Sequence, residues 1–281
     1  MTDLLRDNIS ATARWIAIYR MRETARPDAC FRDPYAARFL DPELDLNTPL
    51  LGGFAGTEWA MIARTVAIDA FVLRCVADGA TTVVNLAAGL DTRPYRLDLP
   101  AELRWVEVDL PAVIAEKEAV LARDVPRCKL ERVSLDLTDL AARRALLASL
   151  AVGNVLVITE GLTIYLQPDA VRGLAEDLRA QPALRWWITD LVSPRTLATL
   201  QRTHGAVLAA LDAPMHFGPA EGPPWFAALG WPPIEVRSYL QEAARVRRVP
   251  WHLRLIAWLL PDSKGVRPPG LWGGVCLLGR A

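Results

Sequence analysis

Between residues 81 and 191 the chain alternates two patterns. Short apolar runs bounded by charged or turn residues predict five β-strands: TTVVNLAA (81–88), LRWVEVDL (103–110), CKLERVSL (128–135), NVLVITEG (154–161) and LRWWITDL (184–191). The intervening stretches repeat with helical period. After Gly161, Pro168 suits a first helical turn, and Val171, Leu174 and Leu178 follow on one face. Ahead of Thr81, Ile62, Val66, Ala70 and Leu73 mark a second such face. Strands alternating with helices predict a parallel sheet covered on both sides, an α/β doubly wound, Rossmann-like domain. Ligands of such sheets bind beyond the carboxyl ends of the strands.

Acidic residues gather at those ends: Asp91 after the first strand, Asp109 after the second, Asp136 after the third and Glu160 after the fourth. Any one of them has a plain reading as a helix cap, because a carboxylate there satisfies orphan amides and faces the positive end of the dipole. Four together favour a site. Asp109 lies twenty residues beyond Gly89, the spacing of the acid that receives ribose hydroxyls in dinucleotide folds. The turn itself, AAGLD, suits a pyrophosphate poorly. Ala87 and Ala88 precede Gly89, no third glycine follows, and Asp91 adds a negative charge where phosphate wants free amides. S-adenosylmethionine reverses that objection, since it carries an adenosine, a sulfonium and an ammonium but no phosphate. Asp91 or Glu160 would attract its ammonium, and Arg22 or Arg64 would face its carboxylate. Arg93 has two readings, ligand contact or a pair with a neighbouring acid.

The residues also carry a resemblance. VVNLAAGLDTRPYRL, WVEVDLPAVIAEK, LDLTD and ITEGLTIYL, in that order and preceded by YRMRETARPDACFRDPYAARFL, resemble the leucine carboxyl methyltransferase family and its bacterial O-methyltransferases of natural-product type. The resemblance implies a class I methyltransferase sheet of seven strands, the last antiparallel and supplied by LWGGVCLLGR. It implies that Ala87, Ala88 and Gly89 pass beneath the cofactor, that Asp109 with Leu110 binds the ribose, and that Asp136 with Leu137 meets the adenine. Glu160 would lie near the methionine end, with Arg22, and more loosely Arg64, at the carboxylate. Ala87 departs from the family's Gly-x-Gly, narrowing the space for backbone approach.

The remaining features narrow the function. Thirty-two basic residues balance thirty-two acidic ones, which speaks against a nucleic-acid or membrane-surface partner. The basic stretch EAARVRRVPWHLRL (242–255) reads as a solvated helix face. Cys30, Cys75, Cys128 and Cys276 are isolated, and His204, His216 and His252 are far apart, so neither a disulfide framework nor a metal site is expected. No secretory signal pattern or membrane-length apolar run appears, which reads as a soluble, cytoplasmic protein.

One methyltransferase domain is expected over 1–281. Residues 1–60 form a helical N-terminal cap, 61–190 the cofactor core, 191–230 an inserted substrate cap and 231–281 the C-terminal strands. The expected reaction is methylation of a small-molecule carboxylate, which is ionised at neutral pH and needs no base. Tyr165, with an even alternative as packing, is the positioning candidate; Tyr19 and Arg195 are weaker acceptor contacts. Trp225, Phe226 and Trp231 suit either an apolar pocket or the core. Phenol, amine, sulfur or protein C-terminal acceptors stay open at this point, as do an NAD-dependent oxidoreductase and a non-catalytic adenosine-binding protein. The oligomeric state is open as well.

Overall fold

The computed structural model describes residues 8–40, 58–210, 213–260 and 270–281. Seven strands form one sheet: β1 (Thr82–Leu86), β2 (Arg104–Asp109), β3 (Lys129–Ser134), β4 (Val155–Thr159), β5 (Leu184–Val192), β6 (Pro233–Ser238) and β7 (Gly273–Gly279). Their order is β3-β2-β1-β4-β5-β7-β6, and β7 runs antiparallel to both β5 and β6 while the first five strands are parallel. The strand expected from LWGGVCLLGR thus sits inside the sheet, between β5 and β6. In the centre, every residue of TVVNL in β1 and VLVIT in β4 is buried, as unbroken apolar runs covered on both faces must be. At the edge, β3 (KLERVS) turns charged residues outward, which protects an unpaired ladder from association.

Ten α-helices flank this sheet among the described residues: α1 (Asn8–Thr24), α2 (Glu58–Ala77), α3 (Arg93–Arg96), α4 (Pro111–Leu121), α5 (Leu140–Leu150), α6 (Pro168–Arg179), α7 (Pro194–Ala210), α8 (Pro224–Ala227), α9 (Tyr239–Arg245) and α10 (Trp251–Leu259). α6 starts at Pro168 and buries Val171, Leu174 and Leu178 against the sheet, the face its period marked. α2 corrects its expected face. Ile68, Phe71, Val72 and Cys75 are fully buried, whereas Leu73 is exposed and Val66 and Ala70 are only half-buried. The helix lies between the sheet (Val83, Leu156, Ile188) and α9 (Tyr239, Ala243). A helix apolar on two sides has no single stripe to read.

One further expectation changes, and one open alternative is decided. The 242–255 stretch is two helices separated by Pro250, with Arg247 left-handed at φ 59°. The Arg248 side chain, 4% exposed, donates to both oxygens of Glu23 on α1 at 2.6 and 2.8 Å, so it clamps the N-terminal helix to the C-terminal part of the chain. Phe226 and Trp231 lie in the core, edge-on to Trp187 at 5.0 and 5.8 Å, so the packing reading holds for this aromatic cluster. No described helix is long and apolar enough to cross a membrane.

Candidate active site

A cavity of about 1210 Å³ opens beyond the carboxyl ends of the parallel strands. Its floor begins with the turn after β1. Ala87 is left-handed at φ 55°, and Gly89 at φ 48°. The Ala88 amide donates to Val108 O at 3.1 Å, and the Gly89 amide to Asp109 Oδ2 at 2.6 Å; the Leu110 amide donates to Asp109 Oδ1 at 2.8 Å. Asp109 therefore splices the turns after β1 and β2. Its burial pushes the carboxyl pKa up, and the Gly89 and Leu110 amides pull it back only in part.

The Ala87 conformation explains why a glycine would be natural there. A left-handed alanine costs about 1–2 kcal/mol, while glycine loses about 0.5–1 kcal/mol more chain entropy on folding. Ala87→Gly is expected to stabilise the protein by roughly 0.5–1 kcal/mol, read as a raised urea midpoint. A lowered midpoint would mean that the alanine methyl contributes packing worth more than the strain.

Beneath the cavity runs a buried ionic network. Arg93, 2% exposed, donates to Asp69 at 2.7 Å, Asp91 at 3.0 Å and Glu160 at 2.7 Å. Arg96 grips Asp69 with two bonds of 2.6 and 2.8 Å. Arg64 lies 3.0 Å from Glu160 and 3.1 Å from Asp190, and Asp190 also accepts from the Gly161 amide at 2.7 Å and the Tyr239 hydroxyl at 3.3 Å. Gly161 is left-handed at φ 64°, and a Cβ there would stand 3.3 Å from Arg64 Nη1, so a side chain would crowd the guanidinium. Three guanidinium groups thus face four carboxylates, a formal excess of one negative charge. Burial alone would raise the Asp91 pKa, but Arg93, Lys117 and Arg96 outweigh it and hold it near about 2. Glu160 is likewise held low against its burial by Arg93 and Arg64.

The structure gathers most of the expected site residues. Tyr19, Arg64, Ala87, Ala88, Gly89, Asp91, Asp109, Leu110, Glu160 and Tyr165 line the cavity. Asp136 and Leu137 line it too, with Asp136 exposed and turned back on Thr138, whose amide and hydroxyl it accepts at 2.8 and 2.7 Å. Asp139 is the cap of α5. Arg22 and Arg195 are not among the described residues that line the cavity. Arg22 is over a third exposed and lies 4.0 Å from Glu58, and Arg195 is exposed in the first turn of α7. Arg20 lines the cavity in place of Arg22, held by Asp33 at 2.8 Å and Leu90 O at 2.6 Å. Two residues along a helix is a turn of roughly 200°, enough to exchange inside for outside. Arg93 resolves to its pairing role.

Sequence reasoning also passed over Asn85, Asp69, Asp190 and Tyr239. Asp190 lies two residues before the end of β5, near where Glu160 follows β4, so the same rule points to it. Asp69 and Tyr239 sit on helices with no local signal.

The wall fits a cation-bearing adenosine. Asn85 donates from Nδ2 to Asp91 at 2.8 Å, but its buried Oδ1 has no partner among the described residues, leaving an acceptor beside the Asp91 carboxylate. A pyrophosphate fits badly. No lysine is among the described lining residues, and the lining arginines, Arg20, Arg64, Arg143 and Arg144, are each ion-paired.

The strand order, the antiparallel β7 and this floor define an S-adenosylmethionine-dependent methyltransferase with a Rossmann-like sheet. The chain belongs to the leucine carboxyl methyltransferase family, whose sequence pattern matches residues 13–179. A Frankia alni protein, named provisionally as an S-adenosyl-L-methionine-dependent methyltransferase, is 33% identical over 79% of this chain and 82% of its own. A Parafrankia protein named in the same way is 29% identical over 92% and 88%. Among solved structures, a DUF574 family protein from Streptomyces avermitilis superposes with a TM-score of 0.56 at 14% identity, covering 94% of this chain and 96% of its own. At that identity it shows the fold alone. With the family established, the oxidoreductase reading falls.

Proposed function

We propose that this enzyme transfers the methyl group of S-adenosylmethionine to a carboxylate oxygen of a small-molecule acid. One observation carries the choice of acceptor: no histidine is among the described lining residues, and the buried lining carboxylates are tied to guanidinium or amide groups. An acceptor that arrives already ionised suits such a wall, and a carboxylate is ionised at neutral pH.

When bound, S-adenosylmethionine supplies an electrophilic methyl on a sulfonium. Asp109 would accept from the ribose hydroxyls, and Leu110 and Leu137, with Asp136 at the rim, would flank the adenine. Asn85 Oδ1, Asp91 and Glu160 would receive the ammonium, and Arg64 the carboxylate. Tyr165 lines the cavity; its amide donates to Leu162 O at 3.1 Å, and its hydroxyl has no hydrogen bond to the described residues. Burial raises the pKa of its hydroxyl, so it stays protonated and donates to the acceptor's oxygen, with Tyr19 as a further wall. The protein's contribution is alignment and exclusion of water.

Calorimetric titration with S-adenosylhomocysteine tests the cofactor assignment; no heat at millimolar ligand would overturn it. Incubation with labelled S-adenosylmethionine and a panel of acids, phenols and amines tests the acceptor. The expected product loses its label in mild alkali, as a methyl ester does. Alkali-stable methylation would instead indicate a phenol, amine or sulfur atom.

A further inference from the structure

The cavity is chemically lopsided. Over β3, β2, β1 and β4 its wall carries most of the charge described above. Over β5, β7 and β6 the wall residues from Asp190 onward include one charged side chain, Asp190 itself, and that is paired with Arg64. The rest of this end is aliphatic or aromatic, with Leu200, Met215, Leu240, Leu253, Leu271 and Trp272 from five separate elements or loops, relieved by a few neutral hydroxyls. The apolar character continues outward. Leu271 is 73% exposed at the rim, and the adjoining α10, whose Leu253 faces the cavity, leaves Leu255, Trp258 and Leu259 exposed.

Space allows a second large molecule. A site for one drug-sized ligand occupies roughly 300–1,000 Å³, and this cavity has about 1210 Å³. A second charge or a peptide's row of amides, placed over β5 and β7, would lose water and meet no counter-charge, which is costly. Methylene groups there gain by leaving water.

We propose that the acceptor is a lipophilic monoacid, its single carboxylate near Tyr165 and an extended alkyl or prenyl body lying over β5 and β7 along the inner side of α10. This rests on the carboxylate reading above for the head group only; the apolar body follows from the wall.

The test uses the full chain saturated with S-adenosylhomocysteine, titrated with straight-chain saturated acids and the matching primary alcohols, from about four to about fourteen carbons. Affinity is expected to rise about threefold to fourfold per methylene until the end of the cavity is filled, for acids and alcohols alike. A diacid of matched length is expected to bind at least about a hundredfold more weakly than the monoacid. A flat dependence on length, or equal binding of the diacid, would overturn the proposal. Methyl ester formation is followed in parallel with S-adenosylmethionine. A clear length dependence without ester product keeps the lipophilic body and removes the carboxylate reading; ester product with a flat dependence does the reverse.

Discussion

Replacing Arg93 with leucine is expected to cost the fold about 3–5 kcal/mol, the largest stability loss of any single substitution at this site. Among the described residues Arg93 is the cation that bridges all three of Asp69, Asp91 and Glu160, and it is 2% exposed. Its removal leaves Asp91 with Asn85 and a backbone amide, and Glu160 with Arg64 alone. Breaking a buried pair by deleting one partner strands the other's charge, which costs far more than the pair contributes net. Arg93→Lys should recover only part of the loss, because one ammonium cannot span three carboxylates as a planar fork does.

The pH dependence gives the sign. In the native protein Asp91 is held from 3.8 down to about 2, so its pairing stabilises the fold above pH 4 and is lost as pH falls through 2. In Arg93→Leu the same carboxylates lose their cation and burial drives their pKa up instead. The penalty is then largest at neutral pH and eases on acidification. Urea denaturation of both proteins at pH 7 and pH 5 checks this, and a loss below about 1 kcal/mol, or one indifferent to pH, would mean that the network is not coupled as its geometry indicates.

How far the sequence announced this arrangement depends on how local each cause is. The five parallel strands were legible because β1 and β4, covered on both faces, need unbroken apolar runs and the other three alternate with helical stretches around them, and their bounds agree with the structure to within a few residues. β6 was not, since Pro233, Glu235 and Arg237 break its pattern and it is recruited by β7. The acids at the strand ends were legible from topology, but their state was not. Asp91 looked like a free charge aimed at the ligand, yet it is held by Arg93, a partner two residues away whose other bonds come from α2 and the end of β4. Arg22 and Arg20 differ only by helical phase, which the packing of α1 decides. Ala87 looked like an obstacle to the cofactor; the structure shows that its backbone adopts the glycine-like conformation nonetheless.

Asp109→Asn is expected to weaken S-adenosylhomocysteine by about a hundredfold or more, while costing the fold only about 1–3 kcal/mol. Both carboxylate oxygens already hold amides, Gly89 on one and Leu110 on the other, with a lone-pair direction left on each for a ribose hydroxyl. Asparagine keeps one acceptor oxygen and turns an NH2 towards the other amide, so one turn is released and the charge is gone. Hydrogen bonds to a charged group contribute about 1.5–3 kcal/mol each, and the ribose diol offers two donors. Because burial raises the Asp109 pKa, the native protein's affinity should also fall on acidification before ordinary surface carboxylates titrate. A ligand lacking the 2′ and 3′ hydroxyls separates recognition from scaffolding. If Asp109 binds the ribose, native protein and Asp109→Asn should hold the dideoxy ligand within about threefold of each other, since that ligand has nothing to donate to the lost charge. An equal drop for both ligands would leave Asp109 only as the splice between the β1 and β2 turns.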